Sequence, residues 1–244
     1  MATSFLGKIR NGFLKFFGDL KVFPYPLFLL YDPGGYKVKG DDIRRLIKEI
    51  EPGDIMVRGY KNYLDGYFIP GFFSHAGLYL GEVKDVNLHL SEKGKALYRE
   101  GEQMVIHSMA DGVFMEDVIN FCRCDFLLLL RRNERIEPGL DLEKENPPVF
   151  TNALASLGDG YDFKFDFSDF HNMSCTEFVY YCCRGFIEKY KVGLKARRAL
   201  FTKIDMIIPD DFVTEEFDIV FQSTSVKQEK LDKIIAKNRA DKIS

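Results

Sequence analysis

A serine, a cysteine and a glutamate at helix-capping spacing mark the candidate reactive group of this 244-residue chain. Ser174 is followed three residues later by Glu177 and then by an apolar run, which is the pattern of a capping box. It predicts a helix that begins with Cys175 and ends near Lys189. A thiol at a helix N-terminus lies at the positive end of the helix dipole, which lowers its pKa toward the thiolate form. The segment therefore indicates either a cysteine nucleophile or a buried structural cysteine, since free cysteine is commonly a small core residue.

Two of the four histidines stand where they could serve such a thiolate. A cysteine nucleophile needs a general base within hydrogen-bond reach, and a third group must orient that base. His75 begins a strand-like stretch beside small residues that leave room for a substrate, and His107 lies in the next convincing strand. Adjacent antiparallel strands would bring the two imidazoles side by side, which predicts a Cys-His-His set. His89 and His171 lie in polar segments and are assigned to the surface.

Composition limits the classes of function. The chain is 46% hydrophobic with a net charge of −3, which excludes a basic nucleic-acid footprint. Its five cysteines are odd in number and two are adjacent, which indicates a reducing compartment without disulfides. Zinc ligation by Cys122 and Cys124 with Cys182 and Cys183 matches no common zinc spacing, so we expect no metal and no cofactor.

Residues 4–23 carry apolar residues at helical spacing, interrupted by lysine and arginine, and predict a basic amphipathic helix. Its charges run through what would be the apolar core of a secretory signal, and it is too charged and short to span a bilayer. Two interpretations stay open: the helix packs on the domain, or it lies on an anionic membrane surface. The expected location is the cytoplasm, with or without peripheral membrane contact through residues 4–23.

Periodicity along the rest of the chain predicts the elements that must position the cysteine and the histidines. The predicted strands are 55–58, 74–81, 103–108, 113–115, 125–131 and 217–221, and the predicted helices are 40–50, 117–122 and 148–157. Asp41 or Asp42 is expected to cap the helix at 40–50. Residues 82–101 are expected to form a surface insertion, and the polar end of the chain from Val226 is expected to be exposed or frayed.

Several short motifs follow one another along the chain: GDIMVRG, SHAGLYLG, VIHSMADGV, GYDFKFDF followed by CTEFVYY, and the closing IIPDDF. In this order they resemble the permuted NlpC/P60 (papain-like) superfamily, in particular its YaeF/YiiX-type branch. The resemblance covers about residues 51–221. It implies an α+β fold in which an antiparallel sheet or barrel packs against helices. The resulting division is an N-terminal helical extension (1–50), a catalytic domain (51–225) and a polar C-terminal tail (226–244).

The resemblance also implies roles for the three candidate residues. Cys175 resembles the nucleophile, His75 the base, and His107 the polar residue that orients the base. The YaeF/YiiX-type branch has glutamate more often at the third position. Histidine there is similar to the wider superfamily and to the lecithin:retinol acyltransferase-like branch, which leaves the substrate open.

Three further residues are candidates for oxyanion or substrate binding. Ser74 and Thr176 adjoin the base and the nucleophile, and Tyr161 resembles the tyrosine that lends its hydroxyl upstream of the cysteine in NlpC/P60 enzymes. Aromatic packing is the alternative role for Tyr161. The backbone N–H of Cys175 would complete the oxyanion hole.

The predicted activity is that of a cysteine amidase or peptidase that cleaves an amide bond through a thioester acyl-enzyme, with no cofactor. The substrate would be a small-molecule, peptide or acyl/lipid-like amide, and the aromatic loop 60–73 favours an amphiphilic one. A lipid acyltransferase or phospholipase of the same fold is one alternative, whose activity would depend on membranes and on residues 1–23. A non-catalytic binding module is the other, and it predicts an unperturbed cysteine pKa.

Overall fold

The computed structural model describes residues 20–24, 27–31, 35–61, 69–84, 90–135, 139, 141–145, 148–165, 167–199 and 202–243. In chain order the elements are β1 (Leu20–Pro24), β2 (Leu27–Tyr31), α1 (Gly40–Glu49), β3 (Ile55–Gly59), β4 (His75–Val83), α2 (Glu92–Leu97), β5 (Gly101–Met109), β6 (Gly112–Asp117), α3 (Val118–Phe121), β7 (Phe126–Arg132), α4 (Val149–Ala155), α5 (Cys175–Ile187), β8 (Lys195–Ala199), β9 (Thr202–Met206), a 3₁₀ helix (Pro209–Phe212), β10 (Phe217–Gln222) and α6 (Gln228–Ile243).

A six-stranded antiparallel sheet forms the centre of the fold, in the order β10-β7-β3-β4-β5-β6. Among the described strands β10 and β6 are its two edges, so the sheet is open and not a barrel. The pairs β1–β2 and β8–β9 form two separate hairpins. Within the described ranges no helix is both long and apolar enough to cross a bilayer.

Helices cover both faces of the sheet, and the run of leucines in β7 shows why. Leu128 and Leu130 belong to a core cluster with buried residues of α4, α5 and α6. Leu127 and Leu129 belong to a second cluster with residues of α1 and α3 on the other face. A strand buried on both faces carries a continuous apolar run instead of an alternating one. The predicted α+β class, with an antiparallel sheet packed against helices, is therefore confirmed.

The helix predicted over residues 4–23 is wrong at its C-terminal end. Residues 4–19 lie outside the described part of the chain, but residues 20–24 form a strand that pairs with residues 27–31, with Leu20 opposite Tyr31. Pro24 and Pro26 interrupt helical hydrogen bonding at this point, and valine and phenylalanine are good strand formers. The chain therefore turns back on itself here.

The expectation of a frayed C-terminus is also wrong. Residues 228–243 form a helix, and its Leu231 and Ile234 are buried in the same core cluster as α5. Asn238 adds two hydrogen bonds, to the carbonyl groups of Asp210 (2.8 Å) and Val213 (3.0 Å). Three apolar or amide residues at helical spacing suffice to anchor this polar helix, although its overall composition resembles that of an exposed tail.

The capping of α1 differs from the sequence-based expectation, whereas the helix within residues 82–101 agrees with it. The N-cap of α1 is Lys39, which makes no side-chain capping bond. Asp42 instead accepts hydrogen bonds from the backbone N–H (3.0 Å) and the hydroxyl of Thr224 (3.1 Å), so it ties the chain after β10 to α1. The expected surface insertion at 82–101 contains the short helix α2, capped by Ser91.

Candidate active site

The candidate nucleophile stands at the first position of α5, as the sequence predicted. The Ser174 hydroxyl accepts the backbone N–H of Glu177 (3.4 Å), and the Glu177 carboxylate accepts the backbone N–H of Ser174 (2.5 Å). Both halves of the predicted capping box are thus present. They fix the chain direction at the point where Cys175 enters the helix.

The N-terminus of α5 lies against the ends of β4 and β5. The Cys175 thiol accepts a hydrogen bond from the backbone N–H of Ala76, the residue that follows His75. On the β5 side, the Ser108 hydroxyl donates to the carbonyl of Met173 (2.5 Å), two residues before the cysteine. Cys175 is therefore held beside the strand residue next to the candidate base.

The two histidines are in direct contact, which confirms their predicted adjacency. Nε2 of His75 lies 2.8 Å from Nδ1 of His107, and the rings meet edge to face with centroids 4.9 Å apart. Gly77 makes room for this contact. A Cβ atom there would lie 3.1 Å from His107 Cβ and 2.8 Å from the Phe121 ring, which covers both imidazoles.

Two charged residues extend this pair, and the sequence analysis missed both. Glu116 Oε1 lies 3.0 Å from Nε2 of His107, at an oblique angle to the ring N–H, and 3.6 Å from Nη1 of Arg58. The pairing register of the strands is the signal that places Glu116 and Arg58 beside the histidines. His107 pairs with Phe114, so Glu116 two residues further along lies on the same face, and Arg58 pairs with His75.

Burial controls the protonation of the site. It lowers the pKa of His75 well below its usual value, and it lowers the pKa of His107 to about 4, with the Arg58 charge adding to both shifts. Burial also raises the pKa of the Cys175 thiol to about 11, and the nearby Glu177 carboxylate adds to the increase. The thiol and both imidazoles are therefore neutral at pH 7.

The lowered thiol pKa expected from the helix N-terminus is wrong for this structure. The N–H groups of Ala76 and Thr176 do act in the expected direction, but Cys175 is only 1% exposed and desolvation is the larger effect. The capping box could be predicted from the sequence, but the depth of burial of Cys175 could not. A reaction at this thiol would therefore require a base to remove its proton.

The remaining candidate residues have differing surroundings. Ser74 is buried, and its hydroxyl has no hydrogen-bond partner among the described residues. The Thr176 hydroxyl donates to the carbonyl of Ile207 (2.8 Å), which ties α5 to the segment after β9. Tyr161 packs against Phe163 and Phe165, with ring centroids 4.8 and 6.1 Å apart. Oxyanion or substrate-binding roles for Ser74, Thr176 and Tyr161 stay predictions.

The IIPDDF motif positions the chain that leads into His75. The two carboxylate oxygens of Asp210 accept the backbone N–H groups of Phe72 and Phe73, each at 2.8 Å. Gly71 permits the approach, because it has a φ of +143° and any Cβ there would lie 3.0 Å from the carboxylate. The motif is thus a structural anchor for the segment that leads into His75.

Replacing Asp210 by alanine is expected to destabilise the protein by about 2 kcal/mol, because two backbone donors lose their acceptor. The measurement is urea unfolding followed by circular dichroism. Asp232→Ala, an exposed aspartate on α6, is the matched control and should change stability by less than about 0.5 kcal/mol. Equal stabilities for the two variants would show that Asp210 does not anchor the segment.

The cysteine pairs considered for zinc lie on opposite faces of the sheet. Cys122 and Cys124 belong to the cluster with α1 and α3, whereas Cys182 and Cys183 belong to the cluster with α4 and α5. Across the described ranges, no group of three or more histidine, cysteine, aspartate or glutamate side chains is arranged to hold a metal ion.

An antiparallel sheet with a capped cysteine helix against it places this chain in the papain-like fold class. The profile of one protein family, permuted papain-like amidase enzymes of the YaeF/YiiX, C92 family, matches residues 49–234. The chain belongs to this family, which is in general one of cysteine hydrolases. Among solved structures it is similar to the metalloprotein yiiX from Escherichia coli O157:H7, at 14% identity and a TM-score of 0.45, over 74% of this chain and 98% of that chain. No curated protein matches.

Proposed function

We propose that the protein is a cysteine amidase in which Cys175 is the nucleophile, His75 the general base and His107 the residue that orients the base. The main support is the 2.8 Å contact between Nε2 of His75 and Nδ1 of His107, beside a capped cysteine. One ring nitrogen of His75 is thereby engaged and the other, Nδ1, is left for proton transfer. Family membership supports the hydrolase class.

In the proposed reaction His75 takes the proton of the Cys175 thiol, and the sulfur attacks the carbonyl carbon of the substrate. The tetrahedral oxyanion would be stabilised by the backbone N–H of Cys175, because the first N–H groups of a helix have no acceptor within the helix. His75 then gives its proton to the leaving amine as the C–N bond breaks. Water attacks the thioester with His75 again as base, which releases the acid and restores the thiol.

The substrate class that we propose is a small-molecule, peptide or acyl/lipid-like amide. The half-buried aromatic side chains that follow Tyr161 support an apolar component in the substrate. The Tyr161 hydroxyl is proposed as a second oxyanion donor. The N-terminal segment 4–23 is proposed as a peripheral membrane contact.

The test is to trap the acyl-enzyme with p-nitrophenyl butyrate and to locate the acyl group by mass spectrometry. A single butyryl group is expected on the peptide that carries Cys175, together with p-nitrophenol release and turnover of a butyryl-aminocoumarin amide. Cys175→Ala should lose the adduct and the turnover, whereas Cys183→Ala, which alters a buried cysteine of the same helix, should keep both. Turnover that survives in Cys175→Ala would refute the proposed nucleophile.

A further inference from the structure

We propose that Glu116 is a positioning residue that sets the direction of the hydrogen bond between the two histidines and so leaves the basic lone pair on Nδ1 of His75. The inference rests on the proposed function, in which His75 is the base. Glu116 is not expected to touch the substrate. It acts on the reaction through His107.

The hydrogen-bonding capacity of each group determines which atom donates and which accepts. An ionised carboxylate can only accept, and a neutral imidazole has one N–H and one acceptor nitrogen. The Glu116 carboxylate lies 3.0 Å from Nε2 of His107, and although the angle to the ring N–H is oblique, its negative charge favours a proton on that nitrogen. Nδ1 of His107 is then an acceptor, so His75 must donate to it from Nε2. The proton of His75 is thereby placed on Nε2, and its Nδ1 is a free base.

Charges around Glu116 keep it ionised. Burial alone would raise its pKa, but the contact with His107 and the positive charges of Arg58 and Arg123 outweigh burial, and the pKa is lowered. The charged groups that act on the two histidines are Arg58 from β3 and Glu116 from β6. Glu116 is the anion of this pair.

The opposite chain of hydrogen bonds would disable the base. His107 is fully buried, and without an acceptor at Nε2 it gains by moving its proton to Nδ1. His75 would then accept at Nε2 and carry its own proton on Nδ1, where it could not remove a thiol proton. A neutral thiol makes this orientation decisive, since no preformed thiolate exists to compensate.

The experiment measures histidine tautomers by long-range ¹H–¹⁵N NMR on the full-length, ¹⁵N-labelled protein, with the His75 signals assigned from His75→Ala. The expected wild-type result is a protonated Nε2 on both His75 and His107. In Glu116→Ala we expect a substantial Nδ1-protonated population of His75, and a fall of about 10- to 100-fold in kcat for p-nitrophenyl butyrate with little change in KM.

Glu116→Gln is the conservative variant, because its amide oxygen can still accept the Nε2 proton. It should restore most of the tautomer and most of the rate. Glu102→Ala, which removes an exposed carboxylate from β5, should match the wild type in both measurements.

Failure of this inference differs from failure of the proposed function. Unchanged tautomers in Glu116→Ala would overturn the inference, whether or not the rate falls. A tautomer shift in a protein without any turnover would support the role of Glu116 in the hydrogen-bond chain and refute the amidase proposal instead.

Discussion

Alanine in place of His75 is expected to slow acylation of Cys175 by about 10²- to 10⁴-fold. The physical reason is the protonation state of the site. Because burial raises the thiol pKa to about 11 and keeps both imidazoles neutral, the thiol holds its proton until a base removes it. A thiolate–imidazolium pair that already existed at rest would depend less on the base at the moment of attack. The measurement is stopped-flow release of p-nitrophenol from p-nitrophenyl butyrate.

His171→Ala is the matched control, because His171 lies in the loop before α5 with its side chain 89% exposed. We expect this variant to acylate at the wild-type rate. A large loss in His171→Ala, or a loss of less than about tenfold in His75→Ala, would contradict the assignment of the base.

The pH dependence of activity and of thiol alkylation follows from the pKa shifts of His75 and Cys175. As the proposed base, His75 must be neutral to act, and burial lowers its pKa well below 6.5, so the acid limb of kcat/KM should lie below pH 6.5. Alkylation of Cys175 by iodoacetamide, followed on its peptide, should keep rising toward about pH 11 and not level off near neutrality. A thiol that levels off below pH 8.5 would show that the ion pair is already formed in the free protein.

Short sequence patterns were enough to predict that Cys175 begins a helix and that His75 and His107 are neighbours. The capping box needs only Ser174 and Glu177 at the right spacing, and both of its hydrogen bonds are present. His75 and His107 each lie in a short alternating segment, and consecutive strands of this kind usually pair. Their 2.8 Å contact follows from that pairing.

Non-local effects account for what the sequence did not reveal. Glu116 and Arg58 join the site only through strand register, which a single sequence does not fix to one residue. The raised pKa of Cys175 depends on how much chain covers it, and this outweighs the helix N-terminus that the sequence does display. The buried side of α6 was missed for a similar reason, because few of its residues are apolar.

Methionine in place of Arg58 is expected to destabilise the protein by about 3 kcal/mol at pH 7.5, since removal of one member of a buried charged network leaves its partner uncompensated. Arg58 is 4% exposed, donates to the carbonyl of Phe121 (2.9 Å), stacks on the Phe121 ring and lies 3.6 Å from Glu116. Methionine keeps much of the packing volume and removes the charge. Urea unfolding measures the loss of stability. The control is Arg44→Met, which breaks an exposed ion pair with Asp41 and should lower the free energy of unfolding by less than about 0.5 kcal/mol.

The pH dependence of this loss of stability separates the effect of the Arg58 charge on the histidines from that of its contacts with Phe121. In the folded wild type His75 and His107 have lowered pKa values, so below pH 6.5 the unfolded chain binds more protons than the folded protein. The free energy of unfolding therefore falls as the pH falls toward 4, by up to about 1.4 kcal/mol per pH unit for each histidine. Burial is the larger cause of these shifts and the Arg58 charge adds to it. Without Arg58 the pKa values of both histidines should rise, so the free energy of unfolding of the variant should fall less steeply as the pH falls. The difference in free energy of unfolding between variant and wild type should therefore narrow from pH 7.5 to pH 5. A difference that stays constant over this range would mean that Arg58 stabilises the site through its hydrogen bond and ring contact with Phe121 and does not hold the histidines neutral.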